Sequence, residues 1–272
     1  MTGTVVTDAD ALEPFVARLF AAAGLPHDQA EAVAEVLVWA ETRGLDSHGV
    51  FRVPNYLDAL AVGRMNPRAN LTVATERGAT CVLDADRAPG PWAMRQAMAE
   101  AIARAREFGV GWVLLRDTTH TGPIGFYARQ AVDAGMAGIV SGGSHPIVAY
   151  HGSRAPGVST TPLAIAVPRA GGEPLALDMS TAAIPWGKLA RARAEGTPLP
   201  EGAALDDAGR PTTDPALAAV PLPIAGAKGS GLALMLECLT SLLVGMPLLA
   251  PGHAGRARPA WQHGLLIAVD VA

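Results

Sequence analysis

Cysteine is almost missing from this chain. The two present, Cys81 and Cys238, lie far apart and have no CxxC partner. That argues against a disulfide framework and against a thiolate metal site, and the expectation is a free-thiol cytoplasmic protein. Charge is scarce as well, at 17% of residues, and the formal net charge of -4 gives no pull toward a polyanion. No basic tract and no interleaving of basic with aromatic residues occurs, so nucleic acid is not an expected partner. The N-terminal stretch lacks a basic n-region and already carries Asp8 and Asp10. A signal peptide is therefore not expected.

Familiar signatures are missing too. No GxGxxG follows a strand-like run, so an ordinary Rossmann cofactor site is unsupported. The stretch Ala225-Gly226-Ala227-Lys228-Gly229-Ser230-Gly231 has the wrong glycine-to-lysine spacing for a P-loop. No HExxH or EF-hand occurs, and no metal is expected. No GxSxG occurs, so Ser47 has no nucleophile-elbow context. There is no internal repeat. One long apolar run, residues 231–250, has the length of a membrane span. Glu237, Gly245 and Pro247 interrupt it and no second such run exists. It reads as a buried core helix, with no membrane partner.

What is present is a chain of 272 residues, half of them hydrophobic, enough to bury a large core. The first part, residues 1–68, reads as helical. Thr7-Asp8-Ala9-Asp10 resembles a helix start, with an acid three residues after a hydroxyl. Phe15, Leu19 and Phe20 then space an apolar face, and Gly24 with Pro26 closes the segment. A second helix is predicted over residues 28–43, with Ala32, Val33, Val36, Leu37 and Ala40 inward. A third is predicted to start near Asp46 or Ser47, with Pro54 making its length uncertain.

Residues 69–272 change pattern after Asn66-Pro67. Strand-like runs at 79–83, 111–115, 137–140, 163–167, 174–177 and 265–269 alternate with helix-like runs at 92–108, 124–134 and 231–243. That alternation predicts an α/β layer structure. Residues 198–215, rich in Gly, Pro and Asp, read as a loop.

Five segments carry chemistry. Asp46-Ser47-His48-Gly49-Val50-Phe51-Arg52 sets a hydroxyl beside an imidazole, with a guanidinium four residues on. If the stretch is helical, His48 and Arg52 share a face. A proton donor and a carboxylate clamp would then be paired, as reduction of a 2-oxo acid requires. An isolated histidine titrates near about 6.5 and can donate around neutrality. A structural histidine is the other reading, and spacing alone does not choose. Arg116-Asp117-Thr118-Thr119-His120-Thr121-Gly122-Pro123 joins a strand to a helix, where open α/β sheets bind ligands; His120 could equally cap an ordinary turn.

Ser141-Gly142-Gly143-Ser144-His145-Pro146 and Ser159-Thr160-Thr161-Pro162 offer amides and hydroxyls suited to a pyrophosphate or ribose, or are simple turns. Leu177-Asp178-Met179-Ser180-Thr181, leading to Trp186-Gly187-Lys188, could hold a ribose, although a plain N-cap is the simpler reading. Lys228-Gly229-Ser230-Gly231 precedes the apolar helix and suits an anion or a bland turn.

In order and approximate spacing these segments resemble the type-2 malate/L-lactate dehydrogenase family, which also contains ureidoglycolate, sulfolactate, diketogulonate and cyclic-imine reductases. The stretch from Glu41 to Tyr56 resembles its SHG-x-x-R segment, Thr119-His120-Thr121-Gly122 its histidine–glycine loop, and Thr160-Thr161-Pro162-Leu163 its TNP-L turn. Leu177 to Thr181, Trp186-Gly187-Lys188, Pro211-Thr212-Thr213-Asp214-Pro215 and Lys228 to Leu232 complete a match over nearly the whole chain.

The resemblance implies a helical N-terminal part plus a mixed-sheet, non-Rossmann dinucleotide-binding core. It implies a homodimer, NAD or NADP as cofactor, and a small 2-hydroxy or 2-oxo acid as substrate, with ureidoglycolate oxidation, imine reduction or a catalytically silent dinucleotide binder as alternatives. His48 is then the proton donor, Arg52 the carboxylate anchor, Ser47 a second donor to substrate, and His120 a second active-site histidine that also touches the cofactor. Ser144, Thr160, Pro162, Asp178, Met179, Ser180, Lys228 and Gly229 match cofactor-binding positions. Thr161 stands where the family has asparagine, Ser159 where it has glycine, and His151 where it has a large aromatic. The family continues several tens of residues past the position of Asp270. A more open cofactor site, weaker cofactor binding and low turnover are expected on that ground. Pro251-Gly252-His253 resembles the family's closing glycine loop only superficially.

Overall fold

The computed structural model describes residues 6–246 and 262–271. Residues 247–250 of the apolar run, and Pro251-Gly252-His253, lie outside the described residues.

Helix α1 (Ala9–Ala22) starts at Asp8, whose Oδ1 accepts the Asp10 N–H at 3.0 Å, so the cap is Asp8 rather than Thr7. Val16 and Phe20 turn inward, whereas Phe15, predicted inward, is 50% exposed. It lies one residue off the stripe that meets α2 (His27–Glu41). All five residues predicted inward on α2 are buried. Val33 and Leu37 join Phe20, Met65 and Tyr56 of α3 (Val53–Ala61) in the core of the helical part, whereas Val36 packs into the core beneath the sheet.

The third helix is corrected by the structure. Asp46–His48 and Val50–Arg52 are two short 3-10 turns, and α3 begins only at Val53 with Pro54 in its first turn. Gly49 between them is extended, with a Cβ at that position falling 2.1 Å from Glu41 Oε2. The same oxygen accepts the Val50 N–H at 3.0 Å. A carboxylate at the end of α2 thus restarts the chain after Gly49, and His48 and Arg52 do not share one α-helical face.

Seven strands form one mixed sheet in the order β1 (Thr72–Arg77), β2 (Thr80–Asp84), β3 (Val110–Thr118), β12 (Gln262–Val269), β4 (Ala137–Gly143), β7 (Leu163–Val167), β8 (Leu175–Met179). Only β2 and β3 pair in parallel; every other neighbouring pair is antiparallel. This is a mixed-sheet α/β fold without the Rossmann arrangement, as expected. Helices α4 (Gly90–Phe108) and α5 (Gly125–Asp133) cover one face, packing Met94, Met98, Ala128 and Ala131 on Val113, Leu115, Val140 and Leu266. Strand β1 escaped prediction because it is a polar edge strand exposed along its whole length, without alternation.

Also unpredicted are α6 (Trp186–Glu195), the two-stranded pair β5 (Val148–Ala149) and β6 (Pro156–Val158), and a small sheet of β9 (Ala204–Leu205), β10 (Pro211–Thr212) and β11 (Val220–Pro221). Two of those strands fall in the stretch expected to be loop. Helix α7 (Ala227–Thr240) begins four residues earlier than the apolar pattern suggests, so Lys228 and Gly229 lie inside its first turn rather than before it. One stretch, Ala227–Val244, is long and apolar enough by composition to cross a membrane. Here it packs on the sheet's second face and buries Ala233, Leu236, Glu237 and Thr240.

Candidate active site

The broken helix at Gly49 turns the motif into a pocket wall. Ser47 Oγ lies 2.9 Å from His48 Nδ1, and Arg52 Nε donates to the Ser47 carbonyl at 2.6 Å. The loop after β3 brings His120 onto His48, with ring centroids 5.6 Å apart and planes at 30°. Tyr56, buried on α3, lies with its hydroxyl 2.7 Å from His120 Nδ1. The start of α6 closes on the same place. A Cβ on Gly187 would sit 2.3 Å from Ser47 Cβ, so only glycine admits this approach. The four predicted catalytic residues, Ser47, His48, Arg52 and His120, are therefore assembled, although 72 positions separate His48 from His120.

Electrostatics alter one expectation. Desolvation, then the neighbouring Arg52 cation, pulls His48 down to about 4. His120 is held well below the usual histidine range by burial, then by Arg52 and His48. Both rings are thus neutral at pH 7 in the free protein, not poised at the ordinary value. Arg52 donates only through Nε, and neither Nη group has a partner among the described residues.

The predicted cofactor residues form a second group. Register pairs Leu163 of β7 with Met179 of β8, which places Thr160 and Pro162 beside Asp178 and Ser180. The Thr160 carbonyl accepts the Thr181 N–H at 3.0 Å, the Thr181 hydroxyl at 2.7 Å and the Ser180 hydroxyl at 3.4 Å. The Pro162 carbonyl accepts Ser141 Oγ at 2.8 Å, tying it to β4, beyond whose end Ser144 lies. The Thr181 carbonyl accepts the Ile224 N–H at 2.8 Å, which sets the first turn of α7, with Lys228 and Gly229, against the same region. Asp178 joins the two groups: its Oδ2 accepts the Gly125 N–H at 2.9 Å, at the far end of the His120 loop. Desolvation raises the Asp178 carboxyl, and the Gly125 bond opposes that.

Two of the family departures acquire a partner that sequence reading missed. Glu237 on α7 is fully buried, and its Oε2 accepts the Ser159 N–H at 3.1 Å, Ser159 Oγ at 3.2 Å and Thr161 Oγ1 at 3.3 Å. Burial pushes its carboxyl up to about 7 against those lowering bonds. Thr161 has a φ of 32°, in the left-handed region that a β-branched residue rarely enters and asparagine tolerates. His151 lies over Gly226, 3.3 Å from where a Cβ would stand, and its N–H donates to Ser230 Oγ at 3.1 Å. Tyr56 and Glu41 were missed as well. Their only sequence signal is that both fall inside the stretch resembling the SHG-x-x-R segment.

Comparison with known proteins identifies the family. The family model for malate/L-lactate dehydrogenase matches residues 7–272. The L-sulfolactate dehydrogenase of Methanocaldococcus jannaschii is 38% identical over 221 residues, 80% of this chain and 64% of that protein. The NAD(+)-dependent ureidoglycolate dehydrogenase of Escherichia coli K12 is 38% identical over 225 residues, 83% of this chain and 64% of that one. The match thus spans slightly less than two thirds of these relatives' length. The crystal structure of malate dehydrogenase from Entamoeba histolytica superposes with a TM-score of 0.93 at 27% identity, covering 99% of this chain and 80% of that chain. With the assembled histidine pair and the non-Rossmann mixed sheet, these matches place the chain in the malate/L-lactate dehydrogenase family.

Proposed function

We propose that this chain is a nicotinamide-dependent dehydrogenase that interconverts a small 2-hydroxy acid and the matching 2-oxo acid. The observation that carries the reading is Arg52, whose Nη groups lack a protein partner among the described residues beside two neutral, stacked histidines. A free guanidinium fork takes a carboxylate with two parallel hydrogen bonds. Burial is the larger cause of the low His48 value, and the Arg52 charge the smaller; a carboxylate held there cancels the second. Substrate binding thereby raises His48 toward a value at which it can hold a proton. In reduction His48 gives that proton to the nascent alkoxide; in oxidation it takes one from the hydroxyl. Ser47 fixes the ring through Nδ1.

The second group of residues fits a dinucleotide. Lys228 is exposed, without an ion-pair partner among the described residues, on the N-terminal turn of α7, where the free amides favour a phosphate. Asp178 spends one oxygen on Gly125 and keeps Oδ1 for a ribose hydroxyl. Ser144, Thr160, Pro162, Met179, Ser180 and Gly229 line the same region by resemblance to the family. The cofactor, NAD or NADP, supplies the hydride acceptor or donor when bound. The exposed Leu175 and Leu177 on edge strand β8 fit the homodimer reading.

A panel of 2-oxo acids and cyclic imines, each with NADH and with NADPH, tests the proposal. Oxidation of the reduced cofactor with at least one 2-oxo acid is expected. Tight cofactor binding with no turnover on any of them would favour a catalytically silent relative instead. Arg52→Lys, which keeps the charge but loses the planar fork, should raise KM for the oxo acid about tenfold or more while leaving cofactor affinity unchanged. A fall in dinucleotide affinity would place Arg52 in the wrong half of the site.

A further inference from the structure

We infer that Tyr56 and the Gly122 amide lock His120 as the tautomer with its proton on Nε2, making His120 a neutral hydrogen-bond donor to the reacting oxygen and leaving His48 as the acid–base member of the pair. The catalytic half of this inference rests on the function proposed above; the tautomer itself does not.

The bond partners of one atom, His120 Nδ1, fix the tautomer. A backbone N–H can only donate, and the Gly122 N–H donates to His120 Nδ1 at 3.3 Å. Nδ1 therefore presents a lone pair. The Tyr56 hydroxyl lies 2.7 Å from the same nitrogen, and with no proton on Nδ1 the phenol must be the donor. Its oxygen also lies 3.1 Å from the His120 carbonyl, a second and longer acceptor. Burial raises the Tyr56 phenol further above its ordinary range, so it keeps the proton it donates. A neutral imidazole with a bare Nδ1 carries its hydrogen on Nε2.

Ionising the ring would require a proton on Nδ1, where two donors already point. Arg52 and His48 also oppose a positive charge there. The charged groups and rings facing His120 thus agree. Arg52 and His48 approach from the motif turns, and Tyr56 from α3. An imidazole so held cannot accept a proton from a hydroxy acid at Nε2. It can donate a hydrogen bond that strengthens as negative charge grows on the substrate oxygen. His48 is held differently. Among the described residues its Nδ1 meets only the Ser47 hydroxyl, which can donate or accept, so either tautomer and the cation remain open to it.

The test uses the full chain labelled with 15N-histidine, with His120 assigned by the signal lost in His120→Gln. Between about pH 5.5 and 8.5, across the ordinary histidine range, the His120 signal should show a protonated Nε2 and an unprotonated Nδ1, without titrating. A protonated Nδ1, or an imidazolium forming in that range, would overturn the inference. In Tyr56→Phe a second tautomer should appear and turnover should fall about tenfold; an unchanged spectrum would remove Tyr56 from the lock. In kinetics, the His120→Gln amide nitrogen can donate from the place of Nε2 but cannot act as a base. It should keep turnover within about tenfold, where His120→Ala loses about a hundredfold or more. Equal losses in the two variants would refute the donor role. If the unmodified chain turns over no 2-oxo acid, the function proposed above fails, while the spectrum still decides the tautomer.

Discussion

Replacing His48 by asparagine should leave the chain folded and lower its turnover at least about a hundredfold, the usual scale for a lost acid–base group. Folding should survive because His48 is half-buried and its side chain has one hydrogen bond among the described residues, to Ser47 Oγ. An asparagine amide can meet that hydroxyl from nearly the same place as Nδ1. Chemistry should not survive, because the remaining histidine is held neutral beneath Tyr56. KM for the oxo acid should change little, since Arg52 still holds the carboxylate. Circular dichroism and thermal unfolding check the fold, and single-turnover absorbance of the reduced cofactor checks the chemistry. Near-normal turnover in the folded variant would remove His48 from the acid–base role.

The parts of this site that could be read from sequence are those whose residues lie close together along the chain. Ser47, His48 and Arg52 fall within six positions, and their association survives even though the predicted helix does not. The reason it fails is local but not visible locally. Gly49 is driven into an extended conformation by Glu41, a residue that reads as the last turn of the preceding helix. The sheet's central strands were legible because they are buried and β-branched. Strand β1 was not, because its pairing with β2 leaves every side chain in solvent. The register that unites Thr160 with Ser180 comes from strand pairing, which a linear pattern does not display. The resemblance to a family supplied those positions instead.

Glu237 marks the limit of such reading. In the sequence it is only an interruption in an apolar run, yet in the fold it is the acceptor for both hydroxyl residues, Ser159 and Thr161, that depart from the family pattern. The turn it holds carries Thr160 and Pro162 beside Asp178 and Ser180 and keeps Thr161 at its unfavourable φ. A packing contact of this kind joins residues 76 positions apart, and nothing in the spacing announces it.

That arrangement gives a stability prediction with a definite sign. The Glu237 carboxyl is raised to about 7 in the folded chain from an ordinary value of 4.5, chiefly by burial. The folded state therefore binds more protons than the unfolded state between those two values. Its contribution is fully present below about 4.5 and is lost as pH rises through about 7. The gap of roughly 2.5 pKa units corresponds to roughly 3 kcal/mol of stability lost once Glu237 is ionised. The proton belongs on Oε1, which has no hydrogen-bond partner among the described residues, because Oε2 already accepts three bonds. Glu237→Gln copies that neutral form, with its carbonyl in place of Oε2 and its amide in place of Oε1. The variant and the unmodified chain should therefore unfold at similar denaturant midpoints near about pH 5. By about pH 8 the variant should be the more stable by roughly 3 kcal/mol, because it alone avoids a buried charge. Urea or thermal unfolding across that range measures the difference, and comparing the two chains cancels every other titrating group. Curves that stay parallel from acid to alkaline pH would show that Glu237 does not titrate there and that its carboxylate is ionised in the fold at no cost.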